Sequence, residues 1–402
     1  MKLSCVFCRS GNFCPMHTSE TYFKIQNVSR EQLASTSPPS VFIGSKLPYP
    51  RVNVGILAPP EKTENAWLYD AQRYWAEQNF EIPNIVKLRS NLINSRFQTE
   101  VREARTAKKF LELAQELGMA AKPTNIDITF KKKIRINTDF DTINLPMGPT
   151  ATLKTFQLAE NPKIPNKVEK VVSDTDLKAG PALNYLSDQN FDEKTLTQLL
   201  SIGVLGLKKD RKLVPTRFAI TAVDDTIGKA LIENIQDYKI LEDYKLFYAN
   251  YLGNNYFILC FPDIFQYELF ETYVSGQTWE NKTTMHDYES LYGRKDYVKE
   301  TAGGYYAARL SILQKLDNMK RQASVLVLRF ITSEYSTPLG VFVCREATRK
   351  AMQTELSFAS KEELIKNTKE LIKQRLKYDC SSLLKQSQVL ENVAQPKLTQ
   401  FF

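Results

Sequence analysis

Two kinds of hydrophobic spacing alternate along this chain of 402 residues, and together they restrict its fold more than any single motif does. From Ile126 to Ile136, apolar residues occupy alternate positions, as in a strand with one buried face. From Thr221 to Ile235, apolar residues recur at helical steps behind an S/T-x-x-D/E capping box formed by Thr221 and Asp224. The sequence therefore predicts a mixed α+β protein, with a large mixed-sheet body surrounded by helices.

Similar patterns cover most of the remaining chain. Strands are predicted at 41–44, 52–57, 244–251, 256–261, 267–274 and 325–331. Helices are predicted at 97–117, 303–319, 341–352 and 361–376. The strands at 244–251 and 256–261 flank a Gly- and Asn-containing turn that is typical of a β-hairpin.

The two ends of the chain differ from this body in composition. Residues 1–20 contain a cysteine-rich cluster, and residues 21–40 are polar and end in S-T-S-P-P-S, which predicts a linker. After 377 the helical periodicity is lost, so 378–402 is predicted to be a flexible tail.

Charge and hydropathy indicate which kinds of partner the protein can bind. The 54 Lys and Arg residues exceed the 45 Asp and Glu residues by 9, which favours a polyanion such as DNA, although a solvated basic surface is equally consistent. No stretch approaches the roughly 18 consecutive apolar residues of a membrane helix, and no apolar leader precedes the first cysteines. We expect a cytoplasmic, nucleoid-associated protein with no membrane partner.

Four soft ligands lie close together near the start of the chain, namely Cys5, Cys8, Cys14 and His17. Sulfur and imidazole ligands in this C-x2-C-x5-C-x2-H spacing suit a structural Zn2+ ion in a closed tetrahedral shell. Metal binding would supply about 10 kcal/mol or more to fold a segment that has no core of its own. A chance cluster or a redox pair is the alternative.

The chain ends in Q-P-K-L-T-Q-F-F, which fits the pattern Q-x-x-L-x-x-F-F at Gln395, Leu398, Phe401 and Phe402. One helical turn after the Gln would bring the Leu beside the two Phe as a plug for an apolar pocket. The peptide therefore predicts docking on a DNA sliding clamp. The alternative is that it folds back on its own body.

A third candidate site is the loop at 206–217, which is rich in cations. Its candidate contacts to phosphate or nucleic acid are Lys208, Lys209, Arg211, Lys212 and Arg217. Contacts of Lys and Arg with the phosphate backbone dominate nucleic-acid affinity. A solvated loop is an equally consistent interpretation.

Catalytic residues cannot be assigned from the sequence. His286 beside Asp287 is a candidate acid/base pair, but an isolated His is more often structural or solvated. The T-A-G-G segment at 301–304 lacks the Lys-Ser/Thr ending of a Walker motif, and no carboxylate cluster typical of a metal-dependent nuclease is present.

Further motifs are spread over nearly the whole chain. They are Y-P-R-V-N-V-G at 49–55, G-L-K-K-D-R-K-L-V-P-T-R at 206–217, A-G-G-Y-Y-A-A-R at 302–309, and P-L-G-V-F-V at 338–343 with R-E-A at 345–347. With the Cys/His cluster and the terminal peptide, they resemble the archaeal Nre family of DNA repair proteins, in particular its NreA-like members. The resemblance implies a zinc-finger-like N-terminus, a PCNA-interacting (PIP) motif at the C-terminus, and a body of two parts, 41–280 and 281–377.

The leading hypothesis is a DNA damage repair factor that binds DNA through its basic body and is tethered to the clamp (PCNA) by its tail. A flexible linker of roughly fifteen to twenty residues would raise the effective concentration of the body at clamp-loaded DNA. The alternative is an enzyme acting on DNA or a nucleotide cofactor, such as a nuclease, that uses Arg211, Arg217, His286 or Glu346. A structural adaptor is a third option. A deep pocket of buried polar groups would favour the enzyme, and a flat basic surface would favour the binder.

Overall fold

The computed structural model describes residues 31–132, 147–274 and 283–395. The four predicted zinc ligands and residues 396–402 lie outside these ranges. The described chain confirms the mixed α+β prediction and divides into two compact units. One unit is the chain up to Thr226 with Pro338–Gly340, and the other is Ile227–Thr337 with the chain from Val341 onwards.

The first unit is built on a sheet in which β4 and β6 are parallel and the other neighbours are antiparallel. Its strands are β1 (Gln32–Ser37), β2 (Ser40–Ile43), β3 (Arg51–Ala58), β4 (Ile93–Glu100), β5 (Thr124–Phe130) and β6 (Thr150–Leu158), in the order β1-β5-β6-β4-β3-β2. Its helices are α1 (Gln72–Glu77), α2 (Ile82–Ser90), α3 (Lys109–Met119), α4 (Asn166–Ser173), α5 (Ala179–Asp188), α6 (Glu193–Ser201) and the first half of α7 (Thr216–Gln236). As predicted, the alternating apolar side chains of β5 are buried.

The prediction of a linker at 21–40 is wrong for residues 32–37, which form β1, and for Ser40, which begins β2, while residues 21–30 lie outside the described ranges. Buried hydroxyl groups make this possible, because the Ser35 Oγ donates to the Pro59 carbonyl at 2.6 Å and the Ser37 Oγ to the Leu57 carbonyl at 2.8 Å. A polar side chain is tolerated in the interior when its hydrogen bonds are made there. The polar composition of this segment therefore did not reveal its burial.

The prediction of a helix at 97–117 is wrong for the first half of that range. Residues up to Glu100 belong to β4, a 3-10 turn follows at Val101–Arg105, and α3 begins only at Lys109. Residues 97–100 pair with β3, from Phe97 opposite Val54 to Glu100 opposite Arg51, and this pairing overrides the helical spacing of the apolar residues.

The second unit contains a six-stranded sheet in the order β11-β10-β13-β9-β8-β14, in which only β10 and β13 are parallel among its described neighbours. Its strands are β8 (Tyr244–Tyr251), β9 (Asn254–Phe261), β10 (Gln266–Tyr273), β11 (Thr284–Glu289), β13 (Ser324–Ile331) and β14 (Glu355–Phe358), with β7 (Lys239–Ile240) and β12 (Arg321–Gln322) as a separate pair. Its helices are the rest of α7, α8 (Ala302–Met319), α9 (Phe342–Ala351), α10 (Lys361–Leu376), α11 (Ser381–Gln386) and α12 (Gln388–Ala394). The predicted hairpin is confirmed, and its turn residues Leu252 and Gly253 have the positive φ values, 51° and 75°, that a two-residue turn requires.

The C-terminal helices complete the core of the second unit. Aromatic residues such as Phe257 and Phe330 on one sheet face belong to the same buried cluster as Leu383 of α11 and Val389 of α12. The prediction of a flexible tail from 378 is therefore wrong for residues 381–394, which are helical and packed. These two helices are too short to show a periodicity that is recognisable from the sequence.

Candidate nucleic-acid interface

The cation-rich loop between α6 and α7 is held in shape by one of its own cations. The Arg211 Nε donates to the Gly206 carbonyl at 2.9 Å, and its Nη2 donates to the Val172 carbonyl at 2.7 Å. Burial lowers the pKa of this guanidinium from its usual value. Arg211 thus supports the loop from within, and its predicted phosphate contact stays a prediction.

The lysines of this loop face the solvent. Lys208, Lys209 and Lys212 are exposed, and none of them pairs with a carboxylate within the described part of the chain. Arg217, at the start of α7, is partly buried, and its guanidinium lies 5.3 Å from the ring centroid of the exposed Phe218. The loop therefore presents cations and an aromatic ring that are free to contact a ligand.

A second segment brings more positive charge to the same place. The Arg105 Nε donates to the Arg211 carbonyl at 3.2 Å, and the Leu213 N–H donates to the Val101 carbonyl at 2.8 Å, which holds the 3-10 turn at Val101–Arg105 against the loop. The exposed cations of the two segments form what we call the basic loop surface. They are Arg102, Arg105, Lys208, Lys209 and Lys212.

Within the loop and the turn themselves, acidic residues compensate little of this charge. Glu103 lies in the same turn, but its carboxylate already accepts from the Lys108 Nζ at 3.1 Å and from the Thr99 Oγ1 at 2.7 Å. These hydrogen bonds, chiefly the one from Thr99, hold the pKa of Glu103 below its ordinary value. Asp210 is the single acidic residue between Lys208 and Arg217. Excess positive charge on an exposed surface is what phosphate contacts require.

In the second unit, the helix that precedes the terminal peptide is fixed by a buried carboxylate. Glu268 on β10 is fully buried and accepts from the Ser387 Oγ, from the Gln388 N–H at 2.9 Å and from the Val389 N–H at 3.1 Å. A carboxylate at this place satisfies donors that the first turn of a helix leaves without partners. We call this arrangement the α12 anchor.

The same helix is also held near its other end. The Asn392 Nδ2 donates to the Gln266 Oε1 at 2.7 Å and to the Tyr288 hydroxyl at 3.0 Å. Gln395 follows the helix in an extended conformation and is exposed. The first residue of the predicted clamp peptide is therefore presented directly by the folded body, and the predicted linker of roughly fifteen to twenty residues is not found before it.

His286 and Asp287 do not form the candidate acid/base pair, because neighbouring residues of a strand point to opposite faces. The His286 Nε2 lies 2.7 Å from the Glu268 Oε1, and its ring stacks on Phe270 with a centroid separation of 4.2 Å. Asp287 accepts from the backbone N–H groups of Lys299, Glu300 and Thr301, at 3.0, 2.9 and 2.9 Å. Burial raises the pKa of Asp287, but these hydrogen bonds outweigh it and hold the pKa below its ordinary value.

The charged residues in the interior of the second unit form matched pairs. The Arg309 Nη1 contacts both carboxylate oxygens of Glu289, at 3.0 and 2.8 Å, and the Arg329 guanidinium pairs with Glu271. Glu346 pairs with the Arg349 Nη1 at 2.8 Å. Such pairing is what buried charge needs for stability, so these residues require no catalytic explanation.

Within residues 31–132, 147–274 and 283–395, no group of three or more His, Cys, Asp or Glu side chains is arranged to hold a metal ion. Among the helices in the same ranges, none is both long enough and apolar enough to cross a membrane.

The fold, the basic loop surface and the α12 anchor define a class of protein. It is a two-unit α+β protein with an exposed cationic loop and an anchored C-terminal helix. The family described as "Archaeal Nre, N-terminal" matches residues 8–280, and "Archaeal Nre, C-terminal" matches residues 289–401. The chain therefore belongs to the archaeal Nre family.

Its relatives cover most of its length. It is 36% identical to the DNA repair protein NreA of Archaeoglobus fulgidus over 85% of each chain. It is 33% identical to the DNA repair protein NreA of Haloferax volcanii, over 83% of this chain and 81% of the relative. The DNA repair protein NreB of Archaeoglobus fulgidus is 34% identical over 87% of this chain and 88% of its own. No solved structure matches the chain.

Proposed function

We propose that this protein is a DNA repair factor that binds DNA through the basic loop surface and binds the sliding clamp PCNA through its terminal peptide. The names of its relatives support the repair role. The observation that carries the DNA contact is the exposure of Lys208, Lys209 and Lys212 with no described carboxylate partner. Lysines in this state can neutralise phosphates without first breaking an ion pair.

The clamp contact is supported by the sequence Q-P-K-L-T-Q-F-F and by the exposure of Gln395 at the end of α12. Residues 396–402 can extend roughly 25 Å at most from that fixed point, since an extended chain spans about 3.5 Å per residue. The tether is therefore short. It would hold the body close to the clamp and so give the body a high local concentration on clamp-loaded DNA.

The same proposal includes the N-terminal cluster and the location of the protein. Cys5, Cys8, Cys14 and His17 form a donor set suited to structural Zn2+, which would fold residues 1–20 when bound. We place the protein in the cytoplasm, associated with the nucleoid.

One set of purified variants tests both contacts. The K208A/K209A/K212A variant should bind a labelled DNA duplex more weakly than wild type in fluorescence anisotropy. Its affinity should also depend less on salt. The slope of log K against log salt concentration should fall in magnitude by about 2 to 3, because each phosphate contact contributes about 0.9. The matched control K87A/K122A/K167A removes the same charge from exposed lysines elsewhere in the first unit. Equal losses in the two variants would contradict a specific DNA contact at the loop.

Deletion of residues 396–402 tests the clamp contact in the same preparations. The truncated protein should no longer co-elute with PCNA, whereas its affinity for duplex DNA should stay at the wild-type value. Co-elution that survives this deletion would show that the clamp contact lies elsewhere.

A further inference from the structure

A loop in the second unit carries an aromatic side chain that projects almost fully into the solvent. Residues 290–301 connect β11 to α8, and we call them the tyrosine loop. Tyr292 is 93% exposed and Tyr297 is 53% exposed. An exposed tyrosine ring combines a large apolar face with a polar hydroxyl, and tyrosine is enriched at interfaces for this reason.

Hydrogen bonds tie both arms of the tyrosine loop to β11 or to its end. On the first arm, the Gly293 N–H donates to the Ser290 carbonyl at 2.9 Å, which closes a turn that uses the positive φ of Gly293, 66°. The Arg294 Nη1 then donates to the Tyr288 carbonyl at 2.8 Å. On the second arm, Asp287 binds three consecutive backbone N–H groups, those of residues 299–301. A loop that is held at both arms loses less conformational entropy on binding than an unattached loop does.

Cations lie between and beside the tyrosines. Lys295 and Lys299 are exposed, and within the described residues neither pairs with a carboxylate. The ring of Tyr297 is supported by the ring of Tyr306, with centroids 5.3 Å apart and planes inclined by 35°. Aromatic rings interleaved with cations are the elements from which proteins build surfaces for unpaired nucleic acid.

We propose that the tyrosine loop binds an unpaired stretch of nucleic acid, in which one base stacks on Tyr292 and the adjacent phosphates contact Lys295 and Lys299. The inference rests on the proposed function and deepens it, since it names the kind of DNA that this part of the protein recognises. Bases in an intact duplex are stacked on one another, so a projecting ring finds a free base face only in a single strand, gap or frayed end. A protein partner fits less well, because Tyr292 is followed by Gly, Arg, Lys and Asp and is not part of a contiguous apolar stretch.

The test compares wild type with two changes at Tyr292. Y292A should weaken binding of a labelled 20-nucleotide single strand by about 5- to 150-fold in fluorescence anisotropy, since one base on an aromatic ring contributes about 1–3 kcal/mol. Y292F is the matched control and should retain wild-type affinity, because stacking uses the ring and not the hydroxyl. Affinity for a blunt duplex of the same sequence should be nearly unchanged in both variants.

A spectroscopic readout separates stacking from a general loss of affinity. An oligonucleotide with 2-aminopurine should lose fluorescence when bound to wild type or Y292F at saturating protein, and it should lose less when bound to Y292A. K295A/K299A should lower the magnitude of the slope of log K against log salt concentration for single-strand binding by about 1 to 1.5. K87A, which changes an exposed lysine elsewhere, should leave this slope unchanged. A parallel series with RNA of the same sequence shows whether the loop prefers DNA.

Several outcomes would overturn the inference. It fails if Y292A binds the single strand as wild type does, if Y292F loses as much as Y292A, or if Y292A loses equally on the blunt duplex. Those results leave the proposed function intact as long as wild type binds DNA and K208A/K209A/K212A weakens that binding. If the wild-type protein binds no DNA of any form, both the proposed DNA contact and the inference are wrong.

Discussion

Asp70 carries a buried negative charge that joins three other parts of the first unit. Its Oδ1 lies 2.6 Å from the Arg89 Nη1 of α2, and its Oδ2 lies 3.2 Å from the Lys194 Nζ of α6 and 2.8 Å from the Ser40 Oγ of β2. Burial raises the pKa of this carboxyl, but the charges of Lys194 and Arg89 outweigh that effect and hold its pKa below the ordinary value. The ionised form is thus favoured by folding.

We expect D70N to lower the free energy of unfolding by about 3–5 kcal/mol at pH 7, because it leaves buried positive charge without its main partner. A lowered pKa means that the stability contributed by Asp70 is fully present above its usual pKa of 3.8 and is lost as the pH falls through the folded value. The difference between variant and wild type should therefore shrink at low pH. Urea unfolding at pH 7 and near pH 3 measures both effects. D127N, at an exposed position of β5, is the control and should change little.

At the scale of elements, α12 shows how a helix of only seven residues is kept in place. Such a helix is unstable alone, so its order depends on the carboxylate of Glu268 at its start and on the burial of Val389. The His286 ring shares that carboxylate and rests on Phe270. Glu268, together with the burial of Val389 and the hydrogen bonds of Asn392, therefore fixes where the terminal peptide leaves the body.

E268A should release α12 while the rest of the second unit stays folded. Loss of these charge-assisted hydrogen bonds should accelerate hydrogen exchange of the amides in 388–394 by roughly ten-fold or more, since each bond of this kind contributes about 1.5–3 kcal/mol. E391Q, at an exposed site of the same helix, is the matched control and should exchange as wild type does. Unchanged exchange in E268A would mean that apolar packing alone holds α12.

At the scale of the whole molecule, the C-terminal helices are part of the core and are not an appendage. A chain that ends at Lys377 lacks buried side chains that β9, β10 and β13 pack against, and these are Cys380, Leu383, Leu384 and Val389. Burial of one such aliphatic side chain contributes about 1.5–3 kcal/mol, so the loss approaches the total stability of a typical domain.

We therefore expect truncation after Lys377 to destabilise or unfold the second unit, whereas truncation after Gln395 should leave the melting temperature at its wild-type value. Thermal unfolding followed by circular dichroism compares the two proteins. Equal melting temperatures in the two truncated proteins would show that α11 and α12 contribute nothing to the core.

The sequence by itself determined the elements that depend on neighbouring residues. The hairpin of β8 and β9 follows from its turn residues, and the boundaries of α8 and α10 follow from helical periodicity, because these interactions act over a few positions. The exposure of Lys208, Lys209 and Lys212 was also predictable, since Lys is seldom buried. The family resemblance was likewise recognisable from motifs along the chain.

Only the tertiary structure decided the features that need a partner far away in the sequence. β1 is a strand because β5 pairs with it, α12 is a helix because Glu268 binds its start, and Arg211 faces inward because the Val172 carbonyl accepts its hydrogen bond. The projection of Tyr292 likewise depends on contacts that hold both arms of its loop to β11. Local spacing cannot encode these arrangements, because each depends on groups that come together only when the chain has folded.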